Sequence, residues 1–194
     1  MGSDICIRSR VFKSPIIIAE CGNNHEGDLV CAHEMLEAAA LAKADMVKFQ
    51  AGTPEGFART PDKIDFYKIA GRQCENNQLI KEYDLETTFL SVPDWRLTKW
   101  SKIDKAQILH VVPEYPTIDP RFDRIAELKK HFGRDIGYSD HTIGIEACLY
   151  AAFVLDCHII EKHFTLDKNT KGIRDHILSA DPKELERLVR RIKE

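Results

Sequence analysis

Short runs of β-branched and apolar residues alternate along this chain with longer segments whose apolar positions recur at helical spacing. Residues 15–19 form a buried-strand pattern that ends in a Gly/Asn cluster. Residues 29–43 are Ala-rich and helical in period, and Asp28 stands where an N-cap belongs. Residues 45–49 have strand character. Beyond a Gly/Pro-containing stretch, residues 64–70 are of strand type, and 77–83 support one or two helical turns. Two further strands are expected over 87–92 and 108–112, with a weak helix over 95–103 between them. The spacing then predicts a helix over 121–132 stopped by Gly133, a strand over 136–138, a helix over 145–155 and a last strand over 157–164. Asp181, Pro182 and Glu184 carry the signature of a capping box at the start of a final helix.

Seven strands, each apolar enough to be buried on both faces and alternating with helices, mean a parallel sheet. It is either open and doubly wound or closed into a barrel. The polar residues choose between these. Glu20, Lys48, Lys68, Ser91, Tyr115, His141 and His163 each stand at or just beyond the C-terminal end of a different strand. Functional groups drawn from nearly every strand are the habit of a TIM-type parallel (β/α) barrel, whereas an open sheet concentrates them at one switch point. The usual barrel has eight strands and about 250 residues. The expected fold is therefore α/β, a shortened or incomplete TIM-type barrel of about seven strands, filling residues 1–194 as one domain.

The richest chemistry lies in two segments, Gly137-Tyr138-Ser139-Asp140-His141-Thr142 and Glu161-Lys162-His163-Phe164-Thr165, each ending a strand. Parallel strands of a βαβ unit open on the same face. Side-chain alternation puts Ser139 with His141, and Glu161 with His163. If those sides face inward, two imidazoles converge above a hydroxyl and a carboxylate, a half-shell for a divalent metal. The bland reading is a pair of hydrogen-bonded histidines at strand ends. Lys48 and Lys68 sit inside apolar strands, where a lysine needs either a bound anion or a structural ion pair. Glu20 follows three isoleucines, which favours a site role. His25 serves either to anchor its loop or to make a direct contact. Tyr115, between Glu114 and Pro116, could simply stiffen a loop. His33, His110, His131 and His158 read as structural or exposed.

Composition adds exclusions. A net charge of -3 and a pI near 6.2 give no reason to expect nucleic acid or an anionic membrane as partner. The six cysteines are scattered without CxxC spacing, several in apolar runs, where a reduced cysteine acts as a small hydrophobe. No apolar run approaches the roughly 18 residues of a membrane span. With no signal peptide visible, the chain reads as cytoplasmic.

Six motifs stand in the order found in the sialic acid synthases. They are Ile18-Ala19-Glu20-Cys21-Gly22-Asn23-Asn24-His25-Glu26-Gly27, Val47-Lys48-Phe49-Gln50, Tyr67-Lys68-Ile69-Ala70, Glu114-Tyr115-Pro116-Thr117, and the two histidine segments, the second extended through Leu166-Asp167. The chain resembles that family from about Pro15 onward. The resemblance implies condensation of phosphoenolpyruvate with N-acetylmannosamine or a related N-acetylhexosamine to give a nonulosonic acid. It implies His141 and His163 as ligands of a divalent metal, usually Mn2+. That ion polarises the sugar aldehyde while C3 of phosphoenolpyruvate attacks it; water then adds at C2 and the bond to phosphate breaks. Glu20 resembles the carboxylate near the reacting sugar carbon. Lys48, Lys68, Ser91 and Ser139 resemble the phosphoenolpyruvate subsite, while Tyr115 and Asp175 resemble sugar contacts, with Glu161 beside the substrate.

Departures from the family pattern are confined to definite places. Residues 51–63 are too few for the helix–strand–helix unit the family carries there, so its third strand is expected to be missing. An unpaired parallel edge would invite association, and a two-fold homodimer is expected. Gly71 and Gln73 replace a serine and a carboxylate, and Ser91-Val92-Pro93-Asp94 stands for a Ser-Thr-Gly-Met turn. Arg174-Asp175-His176 keeps the family's Asp-His but not its preceding proline, and no counterpart of the family's small antifreeze-like C-terminal domain is expected. Three functions follow: a shortened synthase; a non-catalytic relative that binds a metal and a sugar or anion, or serves as an interaction subunit; or another metal-dependent lyase or aldolase on the same barrel, which needs only His141, His163, Glu20 and a lysine.

Overall fold

A computed structural model describes residues 14–50, 89–92 (backbone only) and 107–194. Among them are six parallel strands: β1 (Ile16–Gly22), β2 (Met46–Phe49), β3 (Phe89–Val92), β4 (Gln107–Val111), β5 (Gly137–Asp140) and β6 (Ile159–His163). Four helices accompany them: α1 (Leu29–Leu41), α2 (Asp123–Phe132), α3 (Glu146–Phe153) and α4 (Pro182–Lys193), with a 3-10 turn at Arg174–Ile177. The strand order is β2-β1-β6-β5-β4-β3. The first strand therefore pairs with both the second and the last, as the neighbours of a parallel barrel do. The strand expected over 64–70 and the helical turns expected over 77–83 and 95–103 lie outside the described residues.

Alternation along the strands makes two apolar layers. Ile17, Ala19 and Cys21 of β1, Ile108 of β4, Tyr138 of β5 and Ile160 of β6 pack outward against Met35 and Ala39 of α1, Ile125 and Leu128 of α2, Ala151 of α3 and Leu188 of α4. The opposite face carries a smaller cluster of Ile18, Leu109 and Ile159, with Met46 beside it. Gly137 belongs to that inner layer for a steric reason. A Cβ there would stand 2.3 Å from Leu109 Cδ2 and 2.9 Å from Ile159 Cβ, so only glycine lets the strands approach.

The local signals behave as their chemistry requires. Asp28 caps α1, its carboxylate accepting from the amides of Val30 (2.8 Å) and Cys31 (3.4 Å). Asp181 and Glu184 form a reciprocal capping box on α4, with Pro182 in the first turn. Gly133 ends α2 at φ 62°, the left-handed conformation that a C-cap glycine adopts without strain. The last strand starts at Ile159 rather than at residue 157, because the Cys157 amide is still bonded to the α3 carbonyl of Ala151 (3.0 Å).

Candidate active site

Above the inner apolar layer the same alternation brings polar side chains to one end of the sheet. Register pairs Glu20 with Lys48 and with His163, and Ser139 with Glu161. Lys48 Nζ forms ion pairs with Glu20 Oε2 and with Glu161 Oε2, the latter at 2.6 Å. Glu161 Oε1 accepts from Ser139 Oγ at 2.7 Å. Among the described residues neither oxygen of the buried Glu20 accepts a directed hydrogen bond, and Lys48 pairs with that carboxylate by charge. Among the described residues, one cation is shared between two carboxylates in this layer, which leaves them acidic on balance. Lys48 thus has the structural ion pair that its apolar strand demanded.

His141 and His163 stand one layer higher, with ring centroids 5.1 Å apart and planes at 60°. The predicted convergence of the two imidazoles above Ser139 and Glu161 is what the fold produces. His141 Nδ1 lies 2.7 Å from the Val112 carbonyl, to which it donates, leaving Nε2 with its lone pair. Among the described residues His163 Nδ1 is buried without a hydrogen bond; the carboxylate oxygen Asp175 Oδ2 is 3.8 Å away, too far to accept from it. Burial lowers both pKa values, that of His163 well below the ordinary range, aided by His141 and then by Lys162, Lys48 and Arg174. Both rings are therefore neutral at pH 7. Neutral imidazoles with one lone pair committed to no protein donor are suited to a divalent cation. Among the described residues no group of three or more His, Cys, Asp and Glu is placed to hold a metal, so the pair would leave most positions open to water and substrate.

A carboxylate or a carbonyl is the acceptor expected for the second nitrogen of each histidine, with Asp140 and Glu161 the nearest carboxylates by sequence. For His141 the acceptor is the Val112 carbonyl, and neither carboxylate takes that task. Asp140 alternates to the outer face, where both it and Lys162 are fully buried. Lys162 Nζ donates to Asp140 Oδ2 (2.7 Å) and to the Thr142 carbonyl (2.6 Å). Tyr138 Oη adds a bond to Asp140 Oδ1 at 2.8 Å, and Thr142 adds two more through its amide and hydroxyl. Sequence reasoning missed this network, although strand alternation one residue before each histidine carried the signal.

The loops complete the site. Tyr115 does more than stiffen its turn: its ring lies 4.1 Å from that of His141 and 5.8 Å from that of His163, centroid to centroid. Asp175 reaches the His163 ring from the 3-10 turn, its pKa raised by burial. The Arg174 guanidinium carbon sits 4.3 Å from the Tyr115 ring centroid, a cation on its π face. His25 Nδ1 accepts from the Gly27 amide (3.1 Å), which makes it a loop anchor. His176 is buried and bonded through Nδ1 to Thr165 Oγ1 (2.8 Å), tying the Asp175 turn to the end of β6. His110 is structural, with Nε2 on the Pro120 carbonyl (2.9 Å). Glu20, Lys48, Tyr115, Ser139, His141, Glu161, His163 and Asp175 are thus brought together. Ser91 lies on β3, whose backbone alone is described, and Lys68 lies outside the described residues.

Comparison with known proteins agrees with this arrangement. The chain is 30% identical to the N,N'-diacetyllegionaminic acid synthase of Campylobacter jejuni over 258 residues, covering 94% of this chain and 77% of that protein. Because 258 aligned positions exceed the 194 residues present here, the Campylobacter protein carries internal stretches that this chain lacks. An N-acetylneuraminate-9-phosphate synthase of Drosophila melanogaster is 42% identical over 85 residues, 42% of this chain and 22% of that one. Among solved structures, the N-acetylneuraminic acid synthetase of Leptospira borgpetersenii, in complex with citrate, superposes with a TM-score of 0.78 at 30% identity, covering 93% of this chain and 83% of that one. Residues 94–194, just over half of the chain, match the NeuB family, and with a relative 30% identical across 94% of this chain, the chain belongs to that family.

Proposed function

We propose that this protein is a metal-dependent synthase that condenses phosphoenolpyruvate with a 2-acetamido hexose to form a nonulosonic acid. The observation that carries the reading is the neutral, converging pair His141 and His163, set above an acidic layer of Glu20, Glu161 and Lys48. An acidic layer beneath two free imidazole lone pairs attracts a divalent cation such as Mn2+. When bound, the cation supplies a Lewis acid for the acceptor's carbonyl oxygen. The protein's own groups do the rest. Tyr115 packs over the His141 ring and Asp175 stands beside His163, so together they orient the sugar at the mouth. Glu20, held by charge and accepting no directed hydrogen bond among the described residues, is free to take a proton close to the reacting carbon. Ser139 and Lys48 are assigned to phosphoenolpyruvate, and the family resemblance adds Lys68 and Ser91 to that role. Since Glu20 and Glu161 already neutralise Lys48, much of that anion's charge falls to Lys68 and to other cations. The working unit in this reading is a two-fold dimer; a light-scattering mass equal to one 22.2 kDa chain at tens of micromolar overturns that part.

Names of the relatives support the reading at the level of reaction class, since they are synthases of sialic and legionaminic acids. The decisive experiment is calorimetric titration of phosphoenolpyruvate into manganese-loaded protein, followed by a phosphate-release assay with N-acetylmannosamine. Binding at millimolar ligand with manganese-dependent release is expected. A protein that binds manganese but not phosphoenolpyruvate is a metal- and sugar-binding relative instead.

A further inference from the structure

Helix α3 turns an apolar face outward. Its inner side chains, Cys148, Ala151 and Ala152, pack into the core, yet Tyr150 is 45% exposed, Phe153 64% and Val154, at the C-cap, 60%. Residues three and four apart are neighbours on a helix, so these three make one continuous strip. Phe122 widens it by stacking on Tyr150, with centroids 4.9 Å apart and planes at 27°. The other outer-layer helices are built differently. Five of the ten residues of α2 and seven of the twelve of α4 are charged, against Glu146 alone among the eight of α3. A surface helix carries charge on its outer side, and one that is apolar all round is a buried helix. The composition of α3 is that of a helix covered from both sides.

The ends of the helix indicate what covers it. Glu146 opens it, with Oε2 accepting from the Ile145 amide at 3.0 Å. Just past the other end, Lys129 Nζ donates to the carbonyls of Leu155 and Asp156, both at 2.9 Å. Lys129 and Lys130, in the last turn of α2, keep that end basic on balance despite the Asp156 carboxylate. The strip is therefore acidic at its start and basic at its finish, as the helix dipole favours. A copy laid antiparallel on it sets acid against base at both ends. Tyr150 stands midway between Glu146 and Leu155 and marks where a two-fold axis passes. We propose that α3 is the interface of a two-fold dimer, the partner being a second copy of this chain packed antiparallel across Tyr150. Tyr150 and Phe153 are the central anchors, since buried aromatic side chains dominate interfaces of this kind. Each contact occurs twice, as two-fold symmetry requires. The inference gives the dimer named above its surface and does not rest on the synthase chemistry.

Sedimentation equilibrium is measured on the native chain, on Phe153→Glu, on Glu146→Lys and on Glu146→Lys combined with Lys129→Glu, with folding checked by circular dichroism. The native protein should be dimeric at tens of micromolar. Phe153→Glu should raise the dimer dissociation constant at least about thirtyfold, the size of a hot-spot loss. Glu146→Lys should weaken the dimer severalfold by setting lysine against lysine, and adding Lys129→Glu should recover that loss. A native dimer that Phe153→Glu leaves unchanged overturns the inference and moves the contact to another surface. Unchanged affinity in Glu146→Lys overturns the antiparallel arrangement. A native monomer overturns the inference together with the dimer. None of these outcomes bears on manganese binding or phosphate release, so the synthase reading stands or falls separately. If Lys129→Glu does not fold, Phe153→Glu decides alone.

Discussion

Lys162 Nζ and Asp140 Oδ2 lie 2.7 Å apart with both side chains fully buried, and each residue immediately precedes one of the paired histidines. The ion pair ties the ends of β5 and β6 together behind the site; Tyr138 and Thr142 also donate to Asp140, and the Thr142 carbonyl accepts a second proton of Lys162. Removing one partner of such a pair strands a charge in the interior. Lys162→Met should therefore destabilise the protein by about 3–5 kcal/mol, read as a lower urea midpoint. Adding Asp140→Leu to it should recover most of that loss, since replacing both members with apolar residues of similar volume is often close to neutral. If the double variant is no more stable than Lys162→Met alone, the ion pair is not what sets the cost.

Metal binding tests the pair itself. His141 and His163 are the protein ligands in the proposed site, and so few ligands leave no redundancy. His141→Ala or His163→Ala should each weaken Mn2+ binding, followed by electron paramagnetic resonance, by more than the about 10–100-fold typical of losing an outer-shell partner. Asp175→Asn, which alters a carboxylate 3.8 Å from His163 Nδ1, should fall within that smaller range. Unchanged manganese affinity in both alanine variants would remove the metal from the proposal.

Buried histidines also set an acid limit to stability. His110, His141 and His163 all have pKa values lowered by burial, so the folded protein keeps them neutral where the unfolded chain protonates them. The stability they permit is present above the ordinary histidine value of about 6.5, and is lost as pH falls below it toward the folded values. Each contributes a slope of at most about 1.4 kcal/mol per pH unit in that window. The urea midpoint of the metal-free protein should drop between pH 7.5 and pH 5.5. His110→Gln, which removes a titrating ring from outside the active site, should flatten the drop; an identical slope would mean that His110 is protonated in the fold.

Much of this was legible in the chain because it depends on period and on local chemistry. The alternation in Ser139–His141 and Glu161–His163 placed two rings over a hydroxyl and a carboxylate once those sides faced inward. Capping at Asp28 and Asp181 was readable for the same reason, since the cap bonds run to residues two or three positions away. What escaped depended on contacts remote in sequence or on a side chain's choice of face. The partner of His141 Nδ1 is a carbonyl 29 residues earlier, at Val112, and no residue type announces a carbonyl. Asp140 looked like a histidine's partner by proximity, yet the pleat turned it toward Lys162. Arg174 was visible only as a missing proline, and its place over Tyr115 required the fold.

Reactivity should be poor in the native chain and improvable at two positions. The family places a serine and a carboxylate where this chain has Gly71 and Gln73, beside Lys68 and the phosphoenolpyruvate subsite. A missing preorganised donor of that kind typically costs about 2.7–4 kcal/mol of transition-state stabilisation, or about 10²–10³ in rate. Lys48 does little to compensate, because Glu20 and Glu161 already share its charge. Manganese-dependent release of phosphate from phosphoenolpyruvate and N-acetylmannosamine should therefore be slow but above the no-enzyme rate, and Lys68→Ala should abolish it. Gly71→Ser combined with Gln73→Glu should raise kcat by at least about tenfold, because the restored groups act where charge develops rather than on ground-state binding. The two changes should also be non-additive, since serine and carboxylate would hold a single phosphate environment. If neither the native protein nor the double variant releases phosphate above background, the chain retains the architecture of a synthase without its chemistry.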